Sequence, residues 1–236
     1  MVDGRIAPAM TADQRSPETA TTRLAGTHAQ IRYAAGLAGR DPNTIALIAV
    51  SKTHPADAMR PFLEAGQLHF GENRVQEAQE KWPKLRAEYP DAHLHLIGSL
   101  QSNKAEDAVA LFDTIHSVDR SSLITAISKA QEKLGRQPRC FLQVNIGDEA
   151  QKAGCAVSAL PALLREARTT GLHVVGLMAI PPAELEPAPY FALLAKLARD
   201  NGLAALSMGM SGDIETAVML GATHVRVGTA LFGARG

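Results

Sequence analysis

The chain has 236 residues, 46% of them hydrophobic and only 4% aromatic, with 24 basic and 24 acidic side chains. That length holds one sizeable core, as two ordinary domains or as one barrel of about 250 residues. Balanced charge argues against a nucleic-acid partner, no apolar run of about 18 residues could span a membrane, and the N-terminus has no basic region followed by an apolar one, as a secretion signal would.

Residues 1–17 are small, polar and aperiodic, and read as a flexible tail. A helix is expected over 18–38, with threonines offering N-caps and Leu24, His28, Ile31, Ala35 and Ala38 near one face. The run Ile45 to Val50 is continuously apolar, as in a strand buried on both faces. It stops at Ser51-Lys52-Thr53. Helix and strand then alternate: helix 57–65, strand 68–70, helix 74–86, strand 93–97, helix 104–111, strand 114–118, helix 121–134, strand 140–146, helix 159–169, strand 173–180, helix 189–201, strand 206–208, helix 213–220 and strand 224–227. This rhythm implies parallel strands with right-handed crossovers. Eight strands are the number that closes a (β/α)8 TIM barrel over residues 18–236, with an open doubly wound sheet as the alternative. Cys140 and Cys155 make no disulfide framework and no CxxC pair, which fits a reducing cytoplasm.

In such a barrel chemistry sits at the C-terminal ends of the strands. Lys52 ends the first strand. It either snorkels to solvent or points into the barrel mouth, where desolvation would supply a neutral amine able to attack an aldehyde. Met210-Ser211-Gly212-Asp213 leads from a strand into a helix start, and Arg226-Val227-Gly228-Thr229 ends the last strand. Taken singly, Ser211 only caps a helix and Gly228 only makes a turn. Together they sit in the loops where this fold commonly binds phosphate. His93 and His95 share a strand face but have no third ligand at a matching spacing, so no metal is expected. Glu72 and Asp119 read as surface carboxylates, and Lys81 to Glu88 as a solvated helix face. Dinucleotide, nucleoside-triphosphate and serine-elbow signatures are absent.

Eight blocks in order, LIAVSKTHP (Leu47–Pro55), FGENRVQE (Phe70–Glu77), HLIGSLQSNK (His95–Lys104), IHSVD (Ile115–Asp119), VNIGDEAQKAG (Val144–Gly154), GLMAI (Gly176–Ile180), LSMGMSGD (Leu206–Asp213) and HVRVGTALFG (His224–Gly233), resemble the family of pyridoxal phosphate homeostasis proteins. The resemblance implies a barrel like the N-terminal domain of alanine racemase, without its second β domain. It implies that Lys52 carries pyridoxal 5′-phosphate (PLP) as a Schiff base, that Ser211, Gly228 and Thr229 bind the phosphate, that Arg226 faces the pyridine nitrogen, that Met210 lies near the ring, and that Asn73 and the block His95–Asn103 form the pocket wall. The loop Asn145 to Lys152 and His54 depart from the family pattern, at the pocket rim. An arginine only donates, so the ring nitrogen should stay unprotonated and carbanion chemistry should be muted. The expected role is therefore cofactor buffering and delivery to PLP-dependent apoenzymes by a cytoplasmic monomer that is not an enzyme. A low-efficiency amino-acid racemase is the alternative.

Overall fold

The computed structural model describes residues 19–233; the tail expected over 1–17 lies outside the described residues. Eight parallel strands, β1 (Ala46–Val50), β2 (His69–Glu72), β3 (His93–Leu96), β4 (Thr114–Val118), β5 (Arg139–Gln143), β6 (His173–Met178), β7 (Ala205–Ser207) and β8 (His224–Val227), close in chain order. The seam pairs β1 with β8 from Ala46↔His224 to Ala49↔Val227. The closed ring removes the open-sheet alternative. Helix α1 (Ala20–Leu37) precedes the ring, and α2 (Ala56–Glu64), α3 (Val75–Glu88), α4 (Ala105–Leu111), α5 (Ser121–Leu134), α6 (Leu160–Thr169), α7 (Ala188–Asp200) and α8 (Ile214–Met219) are the crossovers.

Thr19 caps α1 by accepting the Thr22 N–H, as the threonine run suggested. The buried stripe of α1 is Leu24, Thr27, Ile31, Ala34 and Ala35. It is therefore centred between Thr27 and Ala34, and the expected members His28 and Ala38 lie at its edge, half-buried. Arg40 locks this helix's exit to α8 by donating to the carbonyls of Val218 and Ala222. The Val218 carbonyl also accepts the Gly221 N–H at 3.1 Å, so the guanidinium ties α1 to both the last turn of α8 and the loop that follows it.

The main core lies between strands and helices, and is built from Leu, Ile, Val and Ala with Trp82, Phe62, Phe70, Phe112 and Phe191. A separate small cluster of Phe141, Met178 and Ala205 lies apart from it. Two expectations about the surface are corrected here. Glu72 is 0% exposed and Lys81 only 9% exposed, because β2 runs two residues further than its apolar part and Lys81 follows it into the core as an ion partner. A short last helix, α9 (Thr229–Phe232), had no sequence signal, since four residues are too few to show a period.

Candidate functional site

The strand ends surround a cavity of ≈330 Å³ lined by Val50, Lys52, Asn73, Ile97, Ile180, Met210, Ser211, Gly212, Arg226, Gly228 and Thr229. All seven residues singled out from the sequence, Lys52, Asn73, Met210, Ser211, Arg226, Gly228 and Thr229, therefore meet at one place. Of the remaining wall, Gly212 stood inside a recognised block and Ile180 at an expected strand end. Ile97 belongs to the block expected to form the pocket wall, while His95 of that block lies buried inside the barrel instead. Val50 reads as an ordinary strand residue, because an apolar residue at a strand end looks the same whether it fills core or lines a ligand.

Lys52 sits in a turn directly after β1, beside Thr53, whose φ of +66° is unusual for a residue with a branched side chain. Side chains from β2 and α3 hold that turn. The Ser51 hydroxyl donates to Glu72 Oε1 at 2.8 Å. Lys81 Nζ donates to the carbonyls of Ser51 and His54, both at 3.1 Å. It also pairs with Glu72 Oε1 at 2.7 Å and Glu77 Oε1 at 2.8 Å. Glu77 in turn accepts the Thr53 N–H, and the His54 ring stacks on Phe232 at 4.9 Å between centroids. Burial pushes the Glu72 carboxyl above its usual range against the pull of Lys81, Ser51 and Trp82. Burial also acts to raise the more open Glu77, but Lys81 and the Thr53 N–H outweigh it and leave that carboxyl low.

Across the mouth, Gly209 to Asp213 forms the turn between β7 and α8. Gly209 has φ +94°, and a Cβ there would stand 2.5 Å from that of Ala217, so both backbone and packing require glycine. Asp213 accepts the Met210 N–H through its carboxylate while its own N–H goes back to the Met210 carbonyl at 3.0 Å. This pins the loop with Ser211 and Gly212 on the pocket. Gly228 caps α9: its carbonyl accepts the Leu231 and Phe232 N–H groups, both at 2.9 Å, which leaves the N–H groups of Thr229 and Ala230 with no acceptor inside the helix. Two small-residue turns thus present N–H groups and the hydroxyls of Ser211 and Thr229 to one space, a donor set suited to an anion.

Arg226 forms the floor and is buried. Its Nη1 donates to Ser207 Oγ at 2.7 Å and its Nη2 to the Ala179 carbonyl at 3.1 Å. Burial lowers its pKa to about 10, with Asp213 opposing, so it remains a cation near neutrality. Met210, 40% exposed, and Ile180 give the mouth an apolar rim. On the adjoining wall a Cβ on Gly98 would stand 2.2 Å from the Asn73 carbonyl oxygen, so glycine is what allows that wall to close. His93 and His95 do share a face, but His95 is buried within the barrel and His93 exposed. Among the described residues no group of three or more His, Cys, Asp or Glu could hold a metal ion.

Residues 27–236 match the family model of the alanine racemase N-terminal domain. A pyridoxal phosphate homeostasis protein of Pseudomonas aeruginosa is 46% identical over 224 residues, covering 92% of this chain and 96% of that protein. The chain belongs to this family. The pyridoxal phosphate homeostasis protein of Deinococcus radiodurans is 44% identical, with 86% and 96% of the two chains covered. PipY of Synechococcus elongatus, solved with PLP bound, superposes with a TM-score of 0.78 at 42% identity over 91% of this chain and all of that one. An alanine racemase of Clostridium difficile shares the fold alone, at 16% identity and a TM-score of 0.64, with 88% of this chain covering 57% of the enzyme.

Proposed function

We propose that this chain is a PLP-binding homeostasis protein that holds the cofactor in the pocket at Lys52, as a Schiff base on that lysine, and buffers and delivers it. The observation that carries the reading is the convergence of the seven residues on one cavity. Their chemistry fits the group part by part. The phosphate suits the Ser211–Gly212 and Gly228–Thr229 turns with their two hydroxyls, the aldehyde suits the Lys52 amine, the flat ring suits Val50, Ile97, Ile180 and Met210, and the ring nitrogen suits a donor-only arginine. Bound PLP supplies a carbonyl that combines reversibly with amines, and an electron sink that is strongest when its ring nitrogen is protonated. Arg226 stays charged near neutrality and offers that nitrogen no proton acceptor.

The absence of turnover is supported from the same wall. Among the described residues that line the pocket there is no carboxylate, histidine, tyrosine or cysteine to act as the second base of a racemase. We further propose that the recipients are PLP-dependent apoenzymes, reached when an amine displaces Lys52 and leaves the ligand held by its phosphate. The buried free thiols of Cys140 and Cys155 suit work in a reducing cytoplasm, and the balanced charge suits a monomer.

The test is the absorbance spectrum of the purified protein with PLP, before and after borohydride, with peptide mapping of the modified lysine. Lys52→Ala is expected to lose the reducible chromophore and retain weak, phosphate-anchored binding. Reduction at another lysine, or equal affinity of variant and parent, would overturn the assignment. Incubation with single-enantiomer amino acids in deuterated water separates carrier from enzyme, since deuterium at Cα would refute the carrier.

A further inference from the structure

Eight-stranded barrels normally fill their interior with layers of branched aliphatic side chains. This one fills it with imidazoles. Rings from β3, β4, β5 and β8, which do not all neighbour one another in the sheet, meet across the lumen: His116 stacks on Phe141 at 4.4 Å, and His224 stands edge-on to Phe141 at 5.1 Å, to His116 at 6.0 Å and to His95 at 6.2 Å. Three of the histidines are strung on hydrogen bonds. His69 Nδ1 meets His95 Nε2 at 3.0 Å, His95 Nδ1 meets His116 Nε2 at 3.0 Å, and His116 Nδ1 meets Ser207 Oγ at 2.9 Å. Ser207 is the residue that receives Arg226 Nη1. A continuous line therefore runs from the pocket floor towards the opposite mouth, where His69 stacks on the exposed His93 at 5.0 Å.

The chemistry at one end sets the direction of the whole line. An arginine can only donate, so Ser207 Oγ accepts from it. The serine hydroxyl then has its own proton to place. If His116 also donated to Ser207, that buried proton would lose its acceptor in the line, at a cost of about 1–3 kcal/mol. If Ser207 donates to His116 Nδ1, then His116 must carry its proton on Nε2 and give it to His95 Nδ1. His95 in turn must be protonated on Nε2 and give to His69 Nδ1. One group that cannot accept orders three tautomers that geometry alone leaves open. Burial keeps all three rings neutral at pH 7.5, so no second proton disturbs the order.

We propose that Ser207, His116, His95 and His69 form a hydrogen-bond chain of fixed direction that positions the Arg226 guanidinium beneath the pocket, with His116 as its central positioning residue. The Ala179 carbonyl holds one edge of the guanidinium, and Ser207, kept as an acceptor by the chain behind it, holds another. The consequence at the ligand rests on the reading of Arg226 as the ring-nitrogen donor; the direction of the chain does not.

The experiment has two arms on the full chain. Side-chain 15N NMR of the ligand-free protein at pH 7.5 is expected to show His69, His95 and His116 neutral and protonated on Nε2. Either His95 or His116 protonated on Nδ1, or charged, overturns the inference whatever the ligand proves to be. In the second arm the parent and His116→Phe are titrated with pyridoxine 5′-phosphate, which has ring nitrogen and phosphate but no aldehyde, and with its analogue bearing C–H in place of the ring nitrogen. The variant is expected to lose about tenfold in affinity for the first, as one misplaced buried hydrogen bond would cost, and to bind the second as the parent does. His116→Gln, whose amide can accept from Ser207 and donate onward, is expected to recover most of the loss. Equal weakening for both compounds, or no weakening, overturns the positioning role. If His116→Phe does not fold, Ser207→Ala takes its place in the same comparison. A parent that binds neither compound refutes the proposed function and leaves the NMR arm to judge the chain.

Discussion

Lys81 shows how much of the Lys52 site is decided by a residue outside the pocket. Its ammonium is nearly buried, lies 2.7 Å from a carboxylate with no exposure at all, and holds two carbonyls of the turn that presents Lys52. Removing one member of a buried pair leaves the other uncompensated, which costs about 3–5 kcal/mol. Lys81→Met is therefore expected to lose about that much stability in urea unfolding. Lys196→Met, which breaks an exposed pair with Asp200 on α7, should change it by less than about 1 kcal/mol. Equal effects would mean that Lys81 is an ordinary surface lysine, as the charge pattern of its helix suggested. That pattern misled because Glu80 and Lys84, on the same helix, are indeed exposed. Nothing in the local sequence tells which lysine of a charged helix follows a carboxylate inward.

At the scale of elements, β1 was legible as a continuous apolar run, as in a strand covered on both faces, whereas β4 (Thr-Ile-His-Ser-Val) and β8 (His-Val-Arg-Val) mix polar and apolar residues and were legible from the regular alternation of helix and strand. β1, β4 and β8 fall at or within one residue of their expected bounds. β5 and β6 end earlier than their apolar runs do: Val144 and Ala179 still donate their N–H groups to the Met178 and Ser207 carbonyls and stay buried, but Val144 turns to an isolated bridge with Cys155 and the residues after each leave the sheet. The site was legible for a different reason: its residues stand where strands stop, and polar or small residues after an apolar run are conspicuous. The histidines of the lumen were not, because whether a strand residue faces helices or lumen depends on how the ring closes. The Gly209–Asp213 turn carries the element-scale prediction. Ala at 209 would need a left-handed backbone, at about 1–2 kcal/mol, and would press on Ala217, with overpacking adding about 1–3 kcal/mol. Gly209→Ala is expected to lower stability by about 2–5 kcal/mol and to weaken binding of inorganic phosphate in a calorimetric titration. Gly212→Ala, where an added Cβ meets nothing within 4 Å, should leave stability unchanged. A Gly209→Ala protein as stable as Gly212→Ala would show that the turn is not pinned as described.

For the molecule as a whole, the imidazole-filled lumen sets a limit on acid tolerance. Burial depresses His69 to about 4 and His224 to about 3, and lowers His95 and His116 well below the ordinary value of 6.5. Their mutual repulsion, and that of Arg139 and Arg226, acts in the same direction. Between those folded values and 6.5 the unfolded chain binds protons that the folded chain refuses. Unfolding then takes up protons, so stability is fully present above pH 6.5 and falls as the pH drops. Each such histidine removes up to roughly 1.4 kcal/mol per pH unit. With four of them in one lumen, a domain of ordinary stability, about 5–15 kcal/mol, should be lost within two or three units below 6.5. Glu77, whose carboxyl is held low, acts in the same sense at still lower pH. Urea unfolding at pH 7.5, 6.0 and 5.0 is expected to show a steep fall across the last interval, accompanied by uptake of more than one proton. A stability that stays level to pH 5 would mean that the lumen admits charge or water, and a lumen open in that way could not hold a line of neutral rings beneath Arg226.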